Sequence, residues 1–201
     1  MDVIPLGGTC SIAYQLKKNN LRNEAYPFDW IRINNFLVLA NLIKSNFNNF
    51  LNYENFELIE YSENFKINNK FGSYIYSNKI CKFYHDFDSK INDKNFLLFK
   101  EKYMRRIDRF YEKIKNSKKI LFIREEIGNL SESKIKLFFN IISNLNPNLE
   151  FKLKVITLNK KIEKINLPNV EIIYSNKKVT DWTRPELNWF NIFQYNSKDS
   201  R

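Results

Sequence analysis

The chain has few of the residues that build disulfide-held or metal-held structure. Its 201 residues include two cysteines, Cys10 and Cys81, and one histidine, His85. Two cysteines cannot form a disulfide framework, and a lone histidine leaves too few soft ligands for a zinc site of cysteine and histidine. We therefore expect neither a disulfide scaffold nor a structural metal.

Long apolar runs are also missing. No stretch approaches the roughly 18 consecutive apolar residues of a membrane-spanning helix, and residues 1–5 show neither the basic nor the apolar region of a signal peptide. The sequence thus predicts a soluble protein of a reducing compartment, the cytoplasm, which for a viral protein is the host cytoplasm. With 43% hydrophobic and 16% aromatic residues, the chain can form one domain over residues 1–201 with a sizeable core.

Positive charge is in excess, with 33 lysines and arginines against 22 acidic residues, a net charge of +11. Such a chain attracts polyanions, which include nucleic acids and phosphorylated small molecules. An AT-rich genome, whose codons favour lysine, explains the excess equally well. The sequence has no recognition-helix signature, no RNA-binding consensus, no zinc finger and no phosphate-binding glycine loop. Small anionic substrates are therefore favoured over nucleic acid.

Apolar periodicity predicts strands that alternate with helices. A short strand at 2–5 and a glycine turn precede a helix at 11–18, and a second helix is expected at 33–45. Residues 46–70 have no clean period and are expected to be irregular or a short helix. The remaining predictions are a β-hairpin at 71–87 that turns at Ser77-Asn78 and carries Cys81 and His85 on its second arm, a helix at 93–116, a strand at 120–123, a helix capped by Ser131 and ended by Pro147, and strands at 151–158 and 170–174.

This order predicts an α/β fold. A single domain is expected, with a largely parallel sheet layered by helices and a β-hairpin insertion. The segment 181–193, which carries two of the three tryptophans, is expected to pack back on the body.

Cys10 is the first candidate for chemistry, because a strand-to-helix turn places its sulfur at a helix N-terminus. There the helix dipole and free N–H groups stabilise a thiolate and can hold an oxyanion. Gly7 and Gly8 allow the backbone to approach a substrate, and Ser11 begins the helix. A small buried residue after a tight turn is the alternative, since free cysteines are often buried. Cys81 is expected to belong to the core.

A cysteine nucleophile needs a base, and His85 is the only imidazole. An ordinary hairpin histidine is the alternative. Two carboxylates are candidates to orient it. On an extended strand Asp86 would face the opposite side from His85, and Asp88 could come near His85 only at the end of the strand. Asp29 lies in an apolar stretch that suggests burial, and a buried carboxylate needs a partner.

Basic side chains recur at three and four residues along the long helix, where they can clamp a phosphate or form a solvated, salt-bridged face. Arg22 is a further candidate, as is Arg124, which follows a strand at the sheet edge where α/β proteins bind ligands. The helix residues of this predicted phosphate- or substrate-binding set are Lys102, Arg105, Arg106 and Arg109.

Several of these residues lie in segments that resemble a family described as papain-like cysteine peptidases. The resemblance is carried by residues 6–16, which include Gly7-Gly8-Thr9-Cys10, by Pro27-Phe28-Asp29-Trp30, and by later pieces at 84–87, 105–110 and 122–126. It covers most of residues 3–126. Gly8 departs from the family, which often has a polar or small residue there, and this affects the turn rather than the nucleophile.

The resemblance implies a Cys–His site at Cys10 and His85. Related proteins with a similar Gly-x-x-Cys start act in capsule polysaccharide synthesis and are associated with coenzyme A and acyl transfer.

The functional hypothesis that makes use of the basic charge is an acyltransferase, which moves an acetyl group from acetyl-CoA to an amino sugar or nucleotide sugar. The alternatives are a cysteine peptidase or hydrolase with the same pair, and a basic polyanion-binding module. No glutamine precedes Cys10 to build a papain-type oxyanion hole, and helix N–H groups could replace it.

Overall fold

The computed structural model describes residues 1–67 and 70–195, which form a mixed α/β fold with two four-stranded sheets. The strands are β1 (Asp2–Pro5), β2 (Ile31–Arg32), β3 (Glu57–Ile67), β4 (Lys70–Ser77), β5 (Lys82–Phe83), β6 (Lys119–Glu126), β7 (Glu150–Thr157) and β8 (Val170–Tyr174). The helices are α1 (Ser11–Lys18), α2 (Phe36–Lys44), α3 (Asp93–Asn116), α4 (Glu132–Leu145) and α5 (Trp189–Ile192), with 3₁₀ turns at Tyr53–Asn55 and Ile162–Lys164.

The first sheet is parallel, in the order β1-β6-β7-β8. Asp2 pairs with Ile120 on β6, and Lys119 pairs with Glu150 on β7. Because parallel strands end at the same edge, the turn after β1 and the last residues of β6 lie side by side at the carboxyl edge of this sheet.

Helices cover both faces of the parallel sheet, so its strands are apolar on both sides. One face packs α1 and α5 against Leu121, Ile123 and Ile156. The opposite face, which includes Phe122 and Val155, belongs to the larger core cluster with α2, α3 and α4. The expectation that the C-terminal tryptophan segment packs back on the body is confirmed by Trp189, which is buried, whereas Trp182 is exposed.

The second sheet is antiparallel, in the order β2-β5-β4-β3. It packs on α3 through a cluster of edge-to-face ring pairs, of which Phe83–Phe99 (5.2 Å) and Phe83–Tyr103 (5.6 Å) are examples. Since such pairs stabilise beyond the apolar area they bury, this cluster fixes the hairpin region against the long helix. The segment that carries His85 follows β5 directly.

Most predicted elements are confirmed, and the α/β class with them. Helix α3 has the predicted bounds, because Asn92 and Asn95 form a reciprocal capping box at its start. Helix α2 begins three residues later than predicted, since the side chain of Asn35 caps it by accepting from Leu37 N–H. Ser131 occupies the N-cap of α4, but its hydroxyl lies 2.9 Å from that of Ser133 and does not cap the helix.

The expectation of irregular structure or a short helix over 46–70 is confirmed for residues 46–56, which form turns and the 3₁₀ turn Tyr53–Asn55, and is wrong from Glu57 onward, where β3 is an eleven-residue strand. Its period is hidden because it is an edge strand. Leu58, Ile59 and Tyr61 are all exposed, so no side of the strand is selected for apolar residues. Two register shifts against β4 interrupt the alternation further.

The predicted hairpin at 71–87 is confirmed in its turn and shortened in its second arm. Asn78 N–H donates to the Cys81 carbonyl (3.2 Å), and β5 pairs with β4 over only two residues. Cys81 therefore lies in the turn, where it is buried, and His85 lies beyond the end of β5.

Neither a membrane-spanning helix nor a metal-binding cluster occurs in residues 1–67 and 70–195, the part of the chain that the structure describes. No helix in this part of the chain is long and apolar enough to cross a membrane. Nor do these residues bring together three or more His, Cys, Asp or Glu side chains that could hold a metal ion.

Candidate active site

Cys10 is the N-cap residue of α1, directly after a turn built on two glycines. Gly7 and Gly8 have φ of +72° and +93°, in the left-handed region that favours glycine. At Gly8 a Cβ would also overlap the carbonyl oxygen of Glu125 on β6, so the turn lies flat against the neighbouring strand. The Cys10 side chain makes no cap hydrogen bond, which leaves its thiol available while the first N–H groups of α1 point outward.

The thiol of Cys10 is partly buried and lies among charged groups. Burial and the carboxylate of Asp86 raise the pKa of Cys10 to about 12, against the opposing effect of Arg32, with a further rise from Asp29. The resting side chain is therefore a neutral thiol at pH 7, and a base must remove its proton before or during attack. Arg32 is the cation that lowers the Cys10 pKa. The sequence did not predict this role, because no motif or residue spacing connects Arg32 with Cys10.

Asp29 is buried, with 1% of its side chain exposed. Its Oδ2 accepts from Arg22 Nη2 (2.6 Å) and from Tyr26 N–H (3.2 Å), and its Oδ1 is buried without a hydrogen-bond partner. Burial raises the pKa of Asp29 although Arg22 lies beside it. Arg22 is thus committed to Asp29, and its guanidinium also lies 5.5 Å from the Trp30 ring centroid.

His85 lies between aromatic rings at the end of the hairpin. Its ring centroid is 5.7 Å from that of Trp30 and 5.3 Å from that of Phe65, both in edge geometry. Trp30 follows Asp29 directly, and Asp86 follows His85. Asp29 and Asp86 both raise the pKa of Cys10, so the sequence neighbours of Trp30 and of His85 lie near the thiol.

Asp86, rather than Asp88, is the buried carboxylate of this segment. Its side chain is 2% exposed, forms an ion pair with Lys102 Nζ (2.6 Å) and accepts from Tyr103 Oη (3.1 Å). Asp88 is exposed and accepts a hydrogen bond from the adjacent Ser89 (3.4 Å). The strand does end before His85, since β5 stops at Phe83, but the buried carboxylate beside His85 is Asp86 rather than the predicted Asp88.

The basic stripe of α3 faces this region, but carboxylates from other elements neutralise much of it. Lys102 pairs with Asp86, and Arg109 donates to the Ala25 carbonyl (2.7 Å) near Glu24. The Arg106 guanidinium lies 5.1 Å from the Tyr103 ring centroid, and its buried Nη1 has no hydrogen-bond partner. Arg105 is exposed.

Arg124 does not face a ligand site. It is fully buried and donates to Glu126 (2.6 Å), to the Leu6 carbonyl (2.9 Å) and to the Ile33 carbonyl (2.8 Å). The expectation that it binds phosphate is therefore corrected. Arg124 does lie at the sheet edge, because it follows a strand. Its guanidinium hydrogen-bonds to other segments of the chain rather than to a ligand.

A second polar cluster lies on the other side of the Cys10 turn. Glu125 Oε2 accepts from Ser11 Oγ (2.8 Å) and from Thr9 Oγ1, and Glu125 Oε1 pairs with Arg184. The hydroxyl of Ser11 is thus occupied by Glu125. Only the backbone N–H of Ser11 remains to donate to an oxyanion on a substrate. Neither Glu125 nor Arg184 is among the site residues predicted from the sequence, and no sequence pattern singles out Arg184.

The chain matches a family model described as "Putative papain-like cysteine peptidase" over residues 1–161. It is also 34% identical to an uncharacterized protein of Acanthamoeba polyphaga mimivirus over 215 aligned positions, which cover 94% of this chain and 95% of the relative. No solved structure matches it.

Proposed function

This chain belongs to the family described as "Putative papain-like cysteine peptidase", and on that premise we propose that it is an acyl-transfer enzyme with Cys10 as nucleophile and His85 as base. The observation that carries the proposal is the position of Cys10. It caps the start of α1 after a turn in which Gly8 has no room for a side chain, and the charge of Asp86, the residue after His85, acts on its thiol.

The proposed first step needs no group beyond these residues and the acyl donor. The imidazole of His85 takes the thiol proton while the sulfur of Cys10 attacks the acyl carbonyl carbon, and the carbonyl electron pair moves to its oxygen. Collapse of this tetrahedral species expels the leaving group, which takes the proton back from the imidazolium. A thioester on Cys10 results.

The start of α1 supports the charge that develops on oxygen. The first N–H groups of a helix have no acceptor within the helix, and the helix dipole adds to their effect. These backbone donors replace the side-chain amide that the sequence lacks before Cys10. The raised pKa of Cys10 fits proton removal during attack rather than a resting thiolate.

Either of two acyl acceptors can complete the reaction, and a different observation supports each. Transfer to water gives a peptidase or hydrolase, which the family description favours. Transfer to the amine of an amino sugar or nucleotide sugar, with acetyl-CoA as donor, is favoured by the net charge of +11 and by Arg32, Arg105 and Arg106. Arg22, Arg109 and Arg124 no longer support it, because protein acceptors occupy them.

Trapping of the acyl-enzyme tests the shared step. The protein is incubated separately with acetyl-CoA and with a mixture of peptide p-nitrophenyl esters, and peptide mass spectrometry locates the adduct. We expect an adduct on Cys10 that hydroxylamine removes, none in Cys10→Ala, and formation slowed by about 100-fold or more in His85→Gln, as for loss of a general base.

Cys81→Ala is the matched control, since Cys81 is the second free cysteine and lies in the core. It should acylate at the wild-type rate. An adduct that persists in Cys10→Ala, or that resides on Cys81, contradicts the proposal. The donor that acylates Cys10 decides between the acceptors: acetyl-CoA alone supports the acetyltransferase, and the peptide esters alone support the hydrolase.

A further inference from the structure

We propose that Arg184, in the C-terminal segment beyond the family match, is a positioning residue for Cys10 that acts through Glu125. The inference rests on the proposed function, because it assigns a role within the same site. Arg184 does not face the thiol. Its effect passes through the turn that carries Cys10.

Glu125 contacts this turn with both its backbone and its side chain. Its carbonyl oxygen lies against Gly8, so that no Cβ fits there. Its Oε2 accepts from Thr9 and Ser11, the residues on either side of Cys10. One residue of β6 thus contacts Gly8, Thr9 and Ser11, the residues on both sides of the nucleophile.

Arg184 fixes the other oxygen of that carboxylate. Its Nη1 pairs with Glu125 Oε1, and its Nε donates to Glu186. All three side chains are nearly buried, with exposed fractions of 3% for Arg184, 8% for Glu125 and 11% for Glu186. A buried carboxylate without its cation takes up a proton or turns toward water, so the geometry of Glu125 depends on Arg184.

The backbone of Arg184 is itself held in place. It has φ of +55°, which is unfavourable for a residue with a side chain, and its carbonyl accepts from Trp189 Nε1 (2.8 Å). The preceding Thr183 carbonyl accepts from Gln15 Nε2 on α1 (2.6 Å). Such strain persists only where surrounding contacts determine the conformation, and here those contacts join α1 to α5.

The charges of Arg184 and Glu125 are not among the groups that shift the pKa of Cys10, which are Asp86, Arg32 and Asp29. Loss of Arg184 therefore changes the position and the solvent exposure of Cys10 rather than the charges around it. A loosened turn admits water to the thiol, and since burial is the largest cause of the raised pKa, that pKa falls toward the usual value near 9.

Alkylation of Cys10 by iodoacetamide, followed from pH 7 to pH 10 by peptide mass spectrometry, measures this directly. We expect Arg184→Met to alkylate at least about tenfold faster at pH 8, which corresponds to a pKa lower by one unit. Lys178→Met, which removes an exposed cation from the same segment, is the control and should match the wild type.

Three further variants separate position from folding. Arg184→Met with Glu125→Gln leaves no unpaired buried charge, and it should still alkylate faster than the wild type. Thr9→Val, which keeps the shape and loses the hydroxyl, should also be faster, and Thr9→Ser should restore the wild-type rate. Wild-type rates in the double variant and in Thr9→Val would overturn the inference.

The two proposals fail in different ways. If Cys10→Ala abolishes acylation while the Arg184 and Thr9 variants alkylate as the wild type does, the positioning role fails and the proposed function stands. If those variants alkylate faster but Cys10→Ala is still acylated, the function fails and the structural link from Arg184 to Cys10 stands.

Discussion

At the scale of single residues, the environment of Cys10 is set by a balance that no neighbour in sequence reveals. Asp86 and Asp29 disfavour its thiolate and Arg32 favours it, and these residues come from different parts of the chain. Asp86 in turn is shared with Lys102 and Tyr103 on α3. The reactivity of the thiol therefore depends on α3, which does not carry it.

Removal of the Asp86 charge should make Cys10 more reactive. In Asp86→Asn the pKa of Cys10 falls, because a nearby negative charge is lost and Lys102 keeps its positive charge. Below that pKa the thiolate fraction grows tenfold for each unit by which the pKa falls, so alkylation at pH 8 should be faster than in the wild type, by about tenfold for a fall of about one unit.

Asp88→Asn is the matched comparison, two residues further on and exposed. Its alkylation rate should equal that of the wild type across pH 7–10. Equal acceleration in the two variants would mean that the buried ion pair of Asp86 has no special effect on the thiol.

At the scale of elements, the turn between β1 and α1 decides where the nucleophile lies. Leu6 N–H donates to the Ile123 carbonyl (2.8 Å), which continues the parallel pairing one residue past β1. The chain then reverses over Gly7 and Gly8 and enters α1 at Cys10. The two glycines differ in one respect, since a Cβ at Gly7 would have its nearest contact at 3.4 Å whereas one at Gly8 would overlap Glu125.

Alanine at the two glycines should therefore cost different amounts of stability. Gly7→Ala should lower the free energy of unfolding by about 1–2 kcal/mol, the cost of a left-handed backbone. Gly8→Ala should lower it by about 3 kcal/mol or more, because the turn must also move away from β6. Urea unfolding followed by tryptophan fluorescence measures both, and equal losses would contradict the close approach at Gly8.

At the scale of the whole molecule, Arg124 joins the two sheets. Its donors reach Leu6, after the first strand of the parallel sheet, and Ile33, after the first strand of the antiparallel sheet. Glu126 balances its charge and also accepts from Gly128 N–H (2.8 Å). The fully buried guanidinium therefore sets the distance between the Cys10 turn and the segment that leads into α2.

Loss of Arg124 should weaken the whole fold. Arg124→Met leaves the Glu126 carboxylate buried without its cation and two carbonyls without their donor, and we expect a loss of about 3–5 kcal/mol in urea unfolding. Adding Glu126→Gln removes the uncompensated charge and should recover part of that loss. A single-variant loss under about 1 kcal/mol would show that the buried pair does not hold the sheets together.

The local elements near the N-terminus and in the second half were predictable from the sequence. Periods of two and of three to four residues, together with Ser131 at a helix start and the glycines at a turn, are short-range signals that the chain carries by itself. They predicted β1, α1, α3 and the parallel strands, and with them the position of Cys10 at a helix start. The resemblance of residues 6–16 to the papain-like family comes from this same local segment.

The partners of each candidate side chain were decided only by the tertiary structure. Asp86 is buried because β5 ends at Phe83, Arg124 is occupied because two sheets meet there, and Glu125 meets Arg184 across 59 positions of sequence. Strand β3 escaped detection because an exposed edge strand carries no apolar period. Burial and ion pairing depend on which segments pack together, and that information lies in long-range contacts rather than in the spacing of residues.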